Sequence, residues 1–487
     1  VIKKLKILFL LIILSVISIA VGEDVSDVPL PASAIGHQTT LTLTQEREWG
    51  ERIMREIRAQ NQVSGDEVLN TYLQGLAERV ARAAPKSPFP LKVFAIPSAD
   101  LNAFTFFGGH IGVHYGLLLG VGSESELLAV LAHEYAHITQ RHLARTLENH
   151  RRMMPVTLAE ILGAILVGSV TSPEAGVYAT QAILDMHFQK MMTFSRVHEQ
   201  EADREAIHTL GRLKSDPRSL LQVFERFNKG SYFHDKVPEY LRSHPLNEAR
   251  IADAENRIIQ LGHQSDAERA PSNFDWMVAR SLVASVIDSK KDIMSQLKAQ
   301  LEQVNVGSPI WRQAQYGMAL CLQAEREYAD AAEILIRLSK AYPDAWVVAM
   351  SLAEVRYLQG NMQDSLNQFS QLLERYPNSF PIGMVYSEYL IRDKKPVLAK
   401  KCLNRFVDKH NDSLTLQQRL TQVYRLLGDL SAMHQAQAEW HLLRGNTKAA
   451  KLQLELALAQ LNTNKDLIEM AKIEAIQDKI RACEKIQ

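Results

Sequence analysis

The sequence predicts a mainly α-helical protein in two parts: a helical first domain built around a small β-sheet, then an α-solenoid. Three observations carry this. Apolar residues recur at helical spacing through most of the chain, as in "QEREWGERIMREIRAQ" from Gln45 and "DEVLNTYLQGLAERVARAA" from Asp66. One short region breaks that rule: "LKVFAIPS" (91–98) alternates, and "NAFTFFGGHIGVHYGLL" (102–118) reads as a hairpin turning at Gly108-Gly109. The C-terminal half repeats every 34 residues.

At 487 residues the chain exceeds one core and predicts two or three domains. With 46% hydrophobic and 23% charged residues it is globular rather than disordered. Lys plus Arg balances Asp plus Glu at 55 each, so no bulk charge directs it to nucleic acid. At the N-terminus, Lys3, Lys4 and Lys6 precede an apolar run from Ile7 to Ile19 and the small residues Ala20 and Gly22. That layout predicts a secretory signal peptide over 1–22 and a periplasmic mature chain. The run is shorter than the roughly 20 residues a membrane span needs, which leaves an uncleaved anchor as the alternative. Cys321, Cys402 and Cys483 form no CxxC pair and read as buried thiols.

Along the chain, the first two helices end at Pro85, Pro88 and Pro90, ahead of the strand and hairpin. A helix then runs through "LLAVLAHEYAHITQRHLA" (127–144), with Ser123 or Ser125 as its cap. Two apolar stretches within 155–192, separated by Ser172-Pro173 and interrupted by Glu160 and Asp185, predict a helical hairpin. Peripheral contact with the outer membrane is the alternative for that hairpin. Helices follow over Glu199–Asn228 and Leu246–Leu261, then a polar linker at 262–275. The first domain is thus expected over 23–265 and the second over 276–487.

In the second half, "YPD" at 342–344 and "YPN" at 376–378 are one period apart. The same 34-residue step joins bulky Leu338, Leu372, Phe406 and Trp440, and small Ala331, Ser365 and Ala399. Paired helices with small residues at their close approaches resemble tetratricopeptide repeats, which stack into a concave superhelix that binds protein partners.

The chemistry lies in His133-Glu134-x-x-His137. On a helix, histidines four apart project from one face and can meet one metal ion, with Glu134 beside them to take a proton from water. A catalytic zinc site needs a third protein ligand. Gln140 and Leu143 stand where a metzincin needs Gly and His, and Ala164 removes the acidic residue a thermolysin-like Glu160 would need. "HEQEADREA" (198–206) is the better source. Glu199 and Asp203 share a helix face, so one can bind zinc while the other hydrogen-bonds a ligand histidine. Glu201 competes, but it points about 200° away and is expected to face solvent or a basic neighbour, with no effect on metal content. His142 and His150 read as a solvated basic face, His110 and His114 as surface or rim residues, and His198 as a neighbour of the site.

HExxH, ExxxD some sixty residues later, and "SHPLNEAR" (243–250) together resemble the gluzincin family that includes HtpX and the CAAX prenyl proteases. The resemblance covers nearly the whole mature chain. It implies a helical gluzincin zinc metalloprotease domain holding one Zn2+ at His133, His137 and Glu199. Glu134 would be the general base and Asp203 the partner of a ligand. His244 and Arg250 of the His-Pro motif would lie near the oxyanion or the open zinc position, where His244 would either assist turnover or switch the enzyme off. The segment Asn102, Ala103, Phe104 to Gly108, Gly109 would pair with an extended substrate. Joined to tetratricopeptide repeats, the resemblance implies misassembled outer-membrane β-barrel proteins as substrates and the barrel-assembly machinery as partner. The chain would then be a protease with a chaperone-like role, or chiefly an assembly chaperone or adaptor with a mostly silent site.

Overall fold

The structure is a computed structural model, and it describes residues 41–148, 195–233, 238–261, 274–287, 290–461 and 467–486. The expected signal peptide, the apolar hairpin at 155–192 and most of the expected linker lie outside the described residues. Among those described, no helix is long and apolar enough to cross a membrane.

Helix α1 (Leu43–Ala59) opens with a capping box between Thr42 and Gln45, and α2 (Glu67–Ala83) is capped by Asp66. The apolar stripe of α2, Leu69, Leu73, Leu76 and Val80, faces the main core. Three strands follow, β1 (Lys92–Ile96), β2 (Ala103–Phe106) and β3 (His110–His114). β3 is central, parallel to β1 and antiparallel to β2. The hairpin turns where expected: Gly108 and Gly109 have φ of +75° and +84°, a region side chains disfavour. A Cβ on Gly109 would also lie 2.4 Å from the Pro90 carbonyl oxygen. β2 has β3 as its one strand neighbour among the described residues and so stands at an edge of the sheet.

After α3 (Tyr115–Gly120), helix α4 (Glu124–Thr139) is capped by Ser123 and crosses the core with almost every residue buried. The expected helix over 127–144 is broken. Arg141 adopts φ +53°, and a new helical segment begins at 142. Glu46 and the Leu41 carbonyl hold the Arg141 guanidinium at 2.8 and 2.7 Å, which sustains a backbone state that is uncommon outside glycine. Helix α5 (Arg196–Arg212), capped by Ser195, packs against α4, with α6 (Ser219–Phe233), α7 (Glu239–Ser243) and α8 (Glu248–Gln260) around them.

Helix α9 (Phe274–Ile287) joins the two parts. Its Trp276, Ala279 and Val283 belong to the first core and its Val278 to the second. The boundary expected at 276 therefore falls inside a shared helix. A chain ending at residue 270 should unfold at lower temperature than one ending at Ile287, as followed by circular dichroism, because three buried core side chains go with α9. Equal melting temperatures would place those side chains outside the folding unit.

The solenoid runs from α10 (Lys290–Gln303) and α11 (Pro309–Ala324) through α12 (Tyr328–Ala341), α13 (Trp346–Leu358), α14 (Met362–Arg375), α15 (Phe380–Arg392), α16 (Pro396–Leu403), α17 (Val407–His410), α18 (Leu414–Leu427), α19 (Leu430–Leu443), α20 (Thr447–Leu458) and α21 (Leu467–Ile486). The repeat positions do what their sizes imply. Ala331, Ser365 and Ala399 are fully buried between helices, and the Ser365 hydroxyl donates to the Ala353 carbonyl at 2.7 Å. Leu338 and Phe406 are buried beside them. The later repeats return to the first domain. Arg58 donates to the Asp412 carbonyl at 3.1 Å, Ser413 to Glu67 at 3.1 Å, and Arg444 to Asn61 at 2.6 Å and the Ala59 carbonyl at 2.9 Å.

Inside the solenoid, burial, then the charges of Glu388 and Asp66, push the Glu354 carboxyl up to about 8, while Tyr389 donates to it at 3.4 Å. Its pKa is raised on folding, so the unfolded chain ionises first as pH rises, and this group costs the fold progressively more stability from about 4.5 to about 8. Glu354→Gln should leave the melting temperature unchanged near pH 4 and raise it near pH 8. A shift of the same size at both pH values would mean that Glu354 does not titrate in that window.

Candidate metal centre

Two helices build the site. On α4, His133 and His137 face the same way one turn apart, with Nε2 atoms 3.0 Å from each other. Across from them α5 presents Glu199, whose oxygens lie 3.5 Å from each of those nitrogens. Their far nitrogens are already engaged. His133 Nδ1 is 2.9 Å from Asp203, and His137 Nδ1 is 2.8 Å from His142 Nδ1. The Nε2 sides of both rings thus converge on one point. His133, His137, Glu199 and His244 are all buried, and each brings one donor atom to within 4.8 Å of the others'. A borderline-soft divalent cation such as zinc suits two imidazole nitrogens and a carboxylate.

The electrostatics agree. Burial alone would depress His133, but Asp203 and Glu199 outweigh it and lift the imidazole to about 10. The two carboxylates thus hold one positive charge there, the place of a proton or a metal ion. Burial would raise Glu199, yet His244 and His133 hold it well below the ordinary carboxylate range. Burial raises Glu134 above that range. Glu134 is wholly buried, and neither of its oxygens has a hydrogen-bond partner. An orphaned carboxylate costs about 1–3 kcal/mol or more, so its place beside the histidines calls for a functional reason.

His244 lies at the C-terminal end of the short helix α7, stacked on Tyr240 with centroids 4.6 Å apart. Its Nδ1 is 3.0 Å from Glu199 and 3.3 Å from His133 Nε2, and its Nε2 is 3.4 Å from Glu134. The ring therefore stands between the ligand cluster and Glu134. Arg250, expected near the oxyanion or the open zinc position, lies against the candidate ligand Glu199 with its donors turned to the scaffold. It is buried, and its fork grips Asp203 at 2.8 and 2.9 Å, with Nη1 donating to the Pro245 carbonyl at 2.9 Å and lying 2.8 Å from Glu199. All its nitrogens are spent on the scaffold. The reason is charge balance: two buried carboxylates on one helix face need a cation between them and the loop.

Of the expected strand-edge residues, Ala103 is fully buried and Asn102 nearly so, and Phe104 lies across Gly112. The Gly109 carbonyl accepts from the Lys92 amide at 2.9 Å, so the two glycines shape the turn while the sheet edge is that of β2.

Two expectations about histidines fail. His110 is buried, stacked on Phe106 at 4.7 Å, with its Nδ1 2.9 Å from the Phe107 carbonyl. His142 is not on a solvated face: the break at Arg141 turns it back onto His137, where burial and His198 push it down to about 3. Glu201 does meet a basic neighbour, Arg145 at 2.7 Å, but it also lies 3.0 Å from His142 Nε2. These contacts outweigh burial and hold it down to about 2. His198 is, as expected, a neighbour, stacked on His142 at 4.5 Å. Tyr240 was missed altogether. Its signal was its position four residues before His244, one helical turn away.

Residues 67–258 match Peptidase family M48, and residues 313–345 and 349–379 match tetratricopeptide repeats. The β-barrel assembly-enhancing protease of Escherichia coli (strain K12) is 30% identical over 454 residues, 93% of this chain and 91% of that protein. The chain belongs to the β-barrel assembly-enhancing protease family. A protein of Vibrio cholerae named as a putative β-barrel assembly-enhancing protease is 30% identical over 413 residues, 85% of this chain and 84% of that one. Mitochondrial metalloendopeptidase OMA1 of Schizosaccharomyces pombe is 25% identical over 184 residues, 38% of this chain and 51% of that one. This member of peptidase family M48 is a zinc metalloendopeptidase, and its repeat region is of the kind that binds other proteins.

Proposed function

We propose that this chain is a periplasmic zinc endopeptidase acting on outer-membrane β-barrel proteins during their assembly and degrading those that misassemble, with the solenoid docking on the assembly machinery. The observation that carries the reading is the convergence of the His133 and His137 Nε2 atoms and the Glu199 carboxylate beside the buried, unbonded Glu134. The substrate class rests on the names of the relatives. Periplasmic location rests on the signal-like residues 1–22. Residues 23–265 then hold the protease and 276–487 the repeats, with α9 common to both.

His133, His137 and Glu199 would hold one zinc ion, which would supply Lewis acidity to water and the scissile carbonyl. Glu134 takes the proton of the attacking water on a carboxylate oxygen and returns it to the leaving amine. Its raised pKa moves it toward the working pH, where a group can do both. Asp203, 2.9 Å from His133 Nδ1, would hold the proton on that nitrogen and leave Nε2 as the ligand atom. Arg250 is a positioning residue that locks Asp203, Glu199 and the Pro245 turn together. An extended substrate adds to the edge of β2 at Asn102 to Phe104, by backbone pairing.

Metal analysis tests the ligands. The parent chain should carry one zinc, His133→Ala and His137→Ala none, and Glu199→Ala sharply less; full retention in all three variants would sink the assignment.

The place of His244 favours a resting state in which the protease is silent and the chain serves as an assembly factor. Its ring offers a fourth donor and also covers Glu134, so substrate must displace it. His244→Ala should degrade unfolded β-barrel substrate faster than the parent. A slower variant would assign His244 to turnover instead, and an unchanged rate would remove it from both roles.

A further inference from the structure

The second ligand histidine is supported differently from the first. Asp203 meets His133 directly, but His137 meets His142, which meets Glu201, which meets Arg145, at 2.8, 3.0 and 2.7 Å in turn. We propose that His142, Glu201 and Arg145 form a positioning relay that sets the tautomer of His137 and so aims its Nε2 at the zinc. This rests on the zinc reading of the site given above.

The polarity of the relay follows from donor counting. Glu201, paired with Arg145, is a carboxylate and can only accept, so His142 Nε2 must donate. A neutral imidazole with its proton on Nε2 has a bare Nδ1, so at the 2.8 Å contact it is His137 Nδ1 that donates. His137 Nε2 is then left as a lone pair on the side facing His133 Nε2 and Glu199. Donation runs from His137 through His142 to Glu201, which also accepts from Arg145, and reversing either histidine bond would place a proton where the metal must sit. The fold holds the relay from two directions. Arg141, fixed by Glu46 in its left-handed conformation, swings His142 inward, and His198, whose Nδ1 lies 3.4 Å from the Thr146 hydroxyl, stacks flat on the His142 ring. Two carboxylates of α5 thus orient the two histidines of α4: Asp203 in one step, and Glu201, two residues earlier, in two.

The consequence is that Glu201 and His142, neither of them in the ligand cluster, govern metal retention. The relay thus predicts that Glu201→Ala weakens zinc, where a glutamate that met only solvent or Arg145 would leave metal content unchanged.

The test uses the full chain and measures zinc affinity by competition with a chromogenic chelator, with melting of the zinc-free protein as a second readout. His142→Phe keeps an aromatic ring against His198 but offers His137 no acceptor, and should weaken zinc roughly 10–100-fold, the range for partners of ligand histidines. His142→Gln keeps an acceptor and a donor and should recover most of that loss. Glu201→Ala, at a part-exposed position, should weaken zinc by a smaller factor and covers the case in which His142→Phe does not fold. The zinc-free variants should melt at or near the parent's temperature. Parental affinity in both His142→Phe and Glu201→Ala would overturn the relay. So would a His142→Gln chain no better than His142→Phe, or a loss of zinc matched by an equal loss of zinc-free stability. A parent chain that binds no zinc would overturn the metal reading itself, a failure distinct from the others.

Discussion

Glu134→Gln abolishes peptide-bond cleavage while zinc stays bound. The amide has the shape of the carboxylate but cannot take a proton from water, and positioned general bases are worth roughly 10²–10⁴-fold in rate. The structure isolates this role well. Glu134 is fully buried, makes no hydrogen bond that packing would miss, and approaches His244 alone among the basic groups of the site, at 3.4 Å. Replacing a buried unpaired carboxyl by a neutral amide should if anything stabilise the fold. The measurement is hydrolysis of an unfolded protein substrate, with zinc content and melting temperature alongside. A variant that cleaves within a few fold of the parent, with zinc in place, would remove Glu134 as the base. Comparison of outer-membrane protein levels in cells carrying this variant then separates the two functional readings. Full rescue of a deletion would make the chain chiefly an assembly factor.

Arg250→Met unfolds the protease domain at much lower denaturant than the parent. Arg250 lies within 2.8 to 2.9 Å of Asp203 and Glu199 and is almost inaccessible to solvent, so its removal leaves two carboxylates buried on one helix face. Breaking a buried pair in this way costs about 3–5 kcal/mol. Arg250→Lys should rescue only part of it, because one ammonium cannot grip Asp203 with two parallel bonds and still reach the Pro245 carbonyl. Bound zinc adds positive charge beside the same carboxylates, so the loss should be smaller in the zinc-loaded protein. Urea unfolding with and without metal measures both. A loss below about 1 kcal/mol would mean that the carboxylates relax to water.

Much of this site is readable from residues alone because helix geometry is local. Spacing of four places His133 with His137 and Glu199 with Asp203, whatever surrounds them. A period of 34 with small residues at Ala331, Ser365 and Ala399 likewise specifies stacked helix pairs, since each unit contacts mainly its neighbours. The alternating stretch and Gly108-Gly109 similarly mark the sheet, because only glycine takes that turn freely.

What periodicity does not contain is the direction of the chain after a break, or the partner of a charge far along the sequence. One left-handed residue, Arg141, stabilised by a glutamate 95 positions away, turns His142 from the surface to the metal ligand. Arg250 was legible as part of a motif, but its partner Asp203, 47 positions away, was chosen by the packing of α5 against α8. His110 was buried by the stacking of its ring on Phe106 across the hairpin, and α9 was shared between cores because both present apolar surface to it. Sequence spacing determined which groups share a helix face. Burial, which makes an unpaired charge costly and so selects a distant partner, decided what each of those groups touches.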